Sequence, residues 1–287
     1  MNSTWTEHDI DIGGKQMHYI RTGPGGCGKP VLVLVHGFSD DGPCWTPTAR
    51  DLAAEYDIIM PDARGHGRSG RVQPGEVVDQ TGDLAGLMQT LGLERAIVAG
   101  HSMGAWMASE LAARFPELVR AVILEDAPWR RPRPEDSERS LLSKESPLAA
   151  FIHGMVGMTL EEIVARERGE HPAWSDEALR LWCAAKTRLD LNFLEIASMG
   201  RMDWQETAKA IACPTLLVTA DPAKGGIVTP ESAALATELN SLIRVVNIPN
   251  VGHHVRFEAY EAYMAVFRAF LAEVGTAAAQ RLSVLAA

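Results

Sequence analysis

The chain has 287 residues, 46% hydrophobic and 22% charged, with 27 Lys+Arg against 37 Asp+Glu and a formal net charge of −10. This composition excludes a disordered chain, a collagen-like fibre and a disulfide mini-protein, and the length suits one large domain or two small ones. The acidic balance speaks against nucleic acid and against an anionic membrane surface as partners.

The four cysteines, Cys27, Cys44, Cys183 and Cys213, form no CxxC pair, and no His pair has ligand spacing. No metal is expected, and the thiols read as reduced. The start lacks a basic segment followed by an apolar one, and runs such as residues 31–35 fall far short of the ~20 needed to span a bilayer. A cytoplasmic protein is expected.

Residues 9–12 and 17–20, joined by Gly13-Gly14, read as an N-terminal hairpin. Residues 31–35, Val-Leu-Val-Leu-Val, form a continuous apolar run that suits a strand covered on both faces. Further strands are expected at 56–60, 97–99, 121–124, 215–219 and 244–248. Helical patterns fall between and after them, at 46–54, 77–91, 103–115, 231–239 and 258–273. The alternation predicts an α/β fold with a mostly parallel, doubly wound sheet. Residues 128–211 break it. They open on the breaker-rich Pro128-Trp129-Arg130-Arg131-Pro132-Arg133-Pro134 and hold only helix-like segments. They read as a helical cap inserted into a core made of 1–127 and 212–287, on the sheet edge where such folds bind ligands. The small, apolar tail from Gly275 reads as a frayed helix end.

Gly100-His101-Ser102-Met103-Gly104 lies between the strand at 97–99 and the helix from Met103. This is G-x-S-x-G in its required context of strand, sharp turn and helix. The turn lifts the Ser102 hydroxyl clear of the sheet, and the flanking glycines leave room for neighbouring backbone. A hydroxyl needs a base, and in this arrangement the acid and then the histidine follow the serine along the chain. His253, after the last strand and preceded by Gly252, is the candidate base, with His254 beside it or lining the pocket. Asp221, directly after the strand at 215–219, is the first choice for the acid that orients the imidazole. Asp126 is the alternative, with Glu125 adjacent, after the strand at 121–124. The backbone N–H groups of Phe38 and Met103 are the candidate oxyanion donors.

His36-Gly37-Phe38, the run from Asp62 to Ser69, the run from Gly100 to Gly104, Asp221 and Gly252-His253 stand in the order found in the α/β-hydrolase superfamily. The chain resembles that family over nearly its whole length, and most of all its small bacterial capped serine esterases and lactonases. The resemblance implies the α/β-hydrolase fold, with 128–211 as the cap. Two departures stand out. Ala105 replaces a second glycine, and Asp221 lies closer to its strand than the usual G-x-x-D spacing, which keeps Asp126 open as the acid. A serine at 102 argues against the dehalogenase and epoxide-hydrolase branches, which use aspartate there.

Gly65 to Gly70 also matches G-x-G-x-x-G, but Pro74 and Gly75 follow instead of a helix. The loop therefore does not read as a dinucleotide cradle, and the resemblance implies a brace for the site. Arg130, Arg131 and Arg133 read as a solvated loop at the cap hinge or as an anion patch. Trp45, Met155, Met158, Trp182, Phe193, Met199 and His254 are candidate pocket residues, which suits a small-molecule substrate with an apolar group. The expected function is hydrolysis of a small carboxylic ester or lactone through an acyl-enzyme on Ser102. Neither cofactor nor metal is required, and the chain is read as a monomer or homodimer. Cleavage of a C–C bond, amide or carbamate by the same residues, or slow-turnover ligand sensing, are the alternatives.

Overall fold

A computed structural model describes residues 5–26, 28–130 and 146–285. Cys27, Arg131 and Arg133 lie outside the described residues.

The strands are β1 (Thr6–Asp11), β2 (Gln16–Arg21), β3 (Val31–Val35), β4 (Asp57–Pro61), β5 (Ala96–His101), β6 (Val119–Glu125), β7 (Thr215–Thr219) and β8 (Ile243–Asn247). They form one sheet in the order β1-β2-β4-β3-β5-β6-β7-β8. β1 and β2 pair as the antiparallel hairpin, and β2 pairs antiparallel to β4. From β4 onward every pairing is parallel.

The apolar run of β3 shows why a parallel sheet must be covered twice. Val33 and Val35 belong to one buried cluster, whereas Leu32 and Leu34 belong to another on the opposite face. The first cluster packs under α2 (Gln80–Thr90) and α3 (Met103–Arg114), and α8 (Pro230–Leu239) covers the same face. The second packs under α1 (Thr46–Leu52), the short α9 (Val255–Glu258) and the long C-terminal helix α10 (Tyr260–Leu285). Tyr263, Phe267 and Phe270 of that helix are buried, and each large apolar side chain contributes about 1.5–3 kcal/mol at most.

Chain order places the site. From β3 the chain moves outward to β4, then returns to the other side of β3 as β5. That reversal leaves a crevice beyond the carboxyl ends of β3 and β5, the usual ligand position in open α/β sheets.

The insertion between β6 and β7 contributes α4 (Pro147–His153), α5 (Leu160–Glu170), α6 (Asp176–Lys186) and α7 (Trp204–Ala210). Side chains cap them at the start: Ser146, Thr159, Ser175 and Asp203 each accept from a backbone N–H of the first turn. Thr159 and Glu162 complete a capping box. α4, α5 and α6 share a third apolar cluster around Ile152, Ile163, Trp174, Leu179 and Trp182. The end of the insertion behaves differently. Phe193, Met199, Trp204, Ala208 and Ile211 join the cluster around α3, so this part packs as core and not as cap. No described helix is long and apolar enough to cross a membrane.

Candidate active site

Ser102 sits between β5 and α3 with φ 52° and ψ −115°, a backbone that an L-residue adopts at a cost of order 1–3 kcal/mol. Its neighbours hold it there. The Ser102 N–H donates to the Glu125 carbonyl at 3.0 Å, and its carbonyl accepts from Trp106 N–H at 3.0 Å. Although Ser102 occupies the N-cap position, its side chain makes no capping bond. A Cβ on Gly100 would collide with the Gly104 carbonyl, and one on Gly104 with the Val35 and His36 carbonyls. A Gly104→Ala variant should therefore lose about 2 kcal/mol or more of stability in urea denaturation. An unchanged midpoint would show that the elbow has slack.

His253 lies on the loop after β8, and its Nδ1 is 2.6 Å from Asp126 Oδ2. Since a carboxylate can only accept, Nδ1 carries the proton and Nε2 presents its lone pair. Asp126 is fully buried with φ 42°, and its backbone N–H donates to Val218 at 2.8 Å. Its carboxylate also accepts from the N–H groups of Ile227 at 2.8 Å and Val228 at 3.2 Å. Two backbone donors thus aim one carboxylate at one imidazole.

The first choice for the acid is corrected by this geometry. Asp221 follows β7 as expected, but Pro222 starts a short 3-10 turn there, and the Asp221 side chain accepts from Ala223 N–H at 2.9 Å. It caps its own turn. The carboxylate that meets His253 is the alternative, Asp126, one strand nearer the serine.

Ser102, Met103, His253 and Phe38 line one cavity of about 600 Å³ under the cap. Met103 opens α3, where helix geometry leaves the N–H without an intrahelical acceptor. Of the pocket candidates, Trp182, His254 and Met199 line the cavity. The other four pocket candidates do not. Trp45 is fully buried in the core with the Arg256 guanidinium 4.3 Å from its ring centroid. Met155 and Met158 pack inside the cap cluster. Phe193 is a core prop: its ring lies 4.6 Å from His66 and 5.7 Å from Phe38, and a Cβ on Gly65 would meet it at 2.5 Å. An apolar residue in a cap has two apolar places to go, and periodicity does not tell them apart.

The Gly65–Gly70 loop braces the floor of the site. Asp62 accepts from the N–H groups of Gly42 at 2.7 Å and Arg68 at 2.8 Å, and a Cβ on Gly67 would run into that carboxylate.

A model of the alpha/beta hydrolase fold family matches residues 30–260. The chain belongs to that family. Its curated relatives include a 2-(acetamidomethylene)succinate hydrolase of Mesorhizobium japonicum, 26% identical over 86% of this chain and 88% of the relative. An N-formylmaleamate deformylase of Pseudomonas putida is 28% identical over 92% of this chain and 95% of the relative. Among solved structures, the enol-lactonase of Burkholderia xenovorans LB400 superposes with a TM-score of 0.73 at 23% identity, covering 92% of this chain and 100% of that one. The protein is accordingly a hydrolase.

Several features of this hydrolase's site carry no sequence signature. Trp106, Trp129, Trp204 and Arg201 line the cavity, as do Arg130 and Asp203, and the Trp129 and Trp204 rings stack at 5.7 Å. The Arg201 guanidinium lies 4.8 Å from the Trp106 ring centroid. They come from α3, the β6 loop and the end of the insertion, and only folding brings them together.

Behind Ser102 stands a buried group of charges. Asp40 Oδ1 receives Lys186 Nζ at 2.8 Å, and Arg256 Nη1 is 3.0 Å from Glu125 Oε2. Burial alone would raise the Asp40 carboxyl, but the charge of Lys186 holds it well below the ordinary range. Burial lowers His101 and takes His254 well below the usual imidazole value, so both rings are neutral at pH 7. His101 Nε2 therefore carries the proton and donates to the His253 carbonyl at 3.1 Å, tying the serine strand to the histidine loop. One potential ligand atom from each of Asp40, His101 and His254 lies within 4.8 Å of the others. Lys186 is already on Asp40, and Arg256 Nη2 lies 3.8 Å from its other oxygen. Those two cations leave little attraction for a divalent ion.

Proposed function

We propose that this hydrolase cleaves a small carboxylic ester or lactone through an acyl-enzyme on Ser102. The observation that carries the reading is the Asp126–His253 bond at 2.6 Å, formed at the same cavity as the strained Ser102 elbow. His253 Nε2 takes the Ser102 proton as Oγ attacks the carbonyl carbon. The negative charge moves to the carbonyl oxygen, facing Phe38 and Met103 N–H. As the carbonyl re-forms, the bond to the leaving oxygen breaks and His253 passes its proton there. Water, deprotonated by His253, then attacks the acyl carbon and releases the acid and Ser102. Asp126 steadies the imidazolium in both halves. These steps call for neither metal nor organic cofactor, and we place them in the cytoplasm.

The substrate reading draws on two further supports. The cavity wall carries four indole, two phenyl and three thioether side chains beside Pro128, Leu148 and Ile227, which suits a partly apolar molecule. Arg130 and Arg201 both line it, and two relatives bear the names of succinate and maleamate compounds, which are acids. We read the Arg201 guanidinium in this wall as the place for a substrate carboxylate, against the general repulsion of a chain with net charge −10. The same relatives favour a second reading, scission of an N-acyl bond by the same residues.

A panel of neutral p-nitrophenyl esters, lactones, monoesters of small dicarboxylic acids and N-acyl amides tests both. Arg201→Ala should raise KM for the acidic monoesters roughly tenfold or more, the loss of one charge-assisted hydrogen bond, and leave KM for neutral esters unchanged. Equal loss on both would remove the carboxylate from the reading. Faster turnover of the amides than of any ester would select the second reading.

A further inference from the structure

Two basic side chains at the end of the third cap helix grip two consecutive acids on the loop after β3. Lys186, the last residue of α6, donates to Asp40 Oδ1 at 2.8 Å and to the Ser39 carbonyl at 3.0 Å. Both charged side chains are 1% exposed. Arg188 meets Asp41 Oδ2 with Nε at 2.7 Å. The loop they hold begins at His36-Gly37-Phe38 and closes on itself through Asp40 N–H to the Gly37 carbonyl at 3.1 Å. Ser39, between Phe38 and Asp40, has φ 60°, a backbone that an L-residue keeps only when held. Lys186 also touches the cavity wall. Its Nζ lies 3.9 Å from the ring centroid of Trp182, one turn earlier on the same helix, and Trp182 lines the cavity.

We propose that Lys186 is a positioning residue for the oxyanion donor: through Ser39 and Asp40 it sets where Phe38 N–H points, and through Trp182 it couples that setting to the cap wall. This rests on the reading of Phe38 N–H as an oxyanion donor. Lys186 touches no reacting atom. Its effect is geometric, since a donor is worth most when it is already aimed at the place where the negative charge develops. The clamp also explains a buried lysine that neither the chemistry nor the apolar core requires. An ion pair taken out of water contributes little net stability, so retention of a specific geometry accounts better for its presence.

The test is steady-state hydrolysis of p-nitrophenyl acetate by the full chain. Lys186→Met should lower kcat and kcat/KM together, roughly ten- to a hundredfold, with KM unchanged, because the lost interaction acts only in the transition state. A lone Asp40 charge would destabilise that variant, so Lys186→Met/Asp40→Asn removes both charges. The double variant should regain the melting temperature while kcat stays low. If kcat recovers along with the melting temperature, or if the loss lies in KM alone, the clamp is merely structural and the inference falls. If the single variant does not fold, the double variant decides by the same two readouts. Ser102→Ala in the same assay separates the two levels. Near-full activity there overturns the underlying mechanism, whereas lost activity there with normal kcat in the Lys186 variants overturns only this inference.

Discussion

Ser102→Ala should lower kcat by on the order of 10⁶ on any ester the enzyme turns over, with KM changed little. The size follows from what the hydroxyl does. It supplies the nucleophile and receives the acyl group, so its loss removes the covalent route and strands the general base with nothing to activate but water. The fold should survive, because the Ser102 side chain makes no capping bond and the backbone bonds to Glu125 and Trp106 remain. Alanine keeps some strain at φ 52° but adds no bulk. Active-site titration with a fluorophosphonate, read by intact-protein mass, gives the independent check. The wild type should gain one adduct on Ser102 and the variant none. A variant with near-full activity would refute the acyl-enzyme.

Asp126→Asn should cost about 10⁴ in kcat, and Asp221→Asn should change kcat by less than about twofold. The amide at 126 would offer a donor where His253 Nδ1–H needs an acceptor, which turns the imidazole to the tautomer with its proton on Nε2. That nitrogen then cannot take the serine proton. Asp221 caps a turn at Ala223, and an asparagine there accepts the same bond. A large loss at 221 with none at 126 would show that the histidine loop changes partner during turnover.

These two variants also mark where sequence reading stopped. Both carboxylates follow buried parallel strands, and both are followed by loops able to reach a histidine. The choice turns on the direction of a side chain. Pro222 and the left-handed Gly225 fold the β7 loop into a short turn that consumes Asp221. The same loop then delivers the N–H groups of Ile227 and Val228 to Asp126. No spacing rule encodes that exchange.

Most strands, by contrast, were legible to within two residues, although β1 begins at Thr6, three residues before the expected start. The β3 run is apolar at every position because both sheet faces are covered, and composition records that directly. The elbow glycines were legible for a similar reason: a missing Cβ is required by backbone that lies close along the chain. The cap was harder. Its helices announce themselves by their capping residues, but Phe193, Met155 and Trp182 look alike in sequence. One props the floor, one fills the cap and one faces the cavity. Arg201, Lys186 and Asp40 carry no local sequence signal, since isolated charged residues are ordinarily solvated.

What the sequence determined by itself was therefore everything that depends on near neighbours: the alternation of strands and helices, the strained serine turn, and the histidine after the last strand. What only the tertiary structure decided was everything that depends on meeting across the chain. Asp126 reaches His253 over 127 positions, and Lys186 reaches Asp40 over 146. Periodicity and turn chemistry act over a few residues, while burial and charge pairing act between whichever side chains the fold makes adjacent. The acid, the cavity wall and the clamp on the oxyanion loop belong to the second kind.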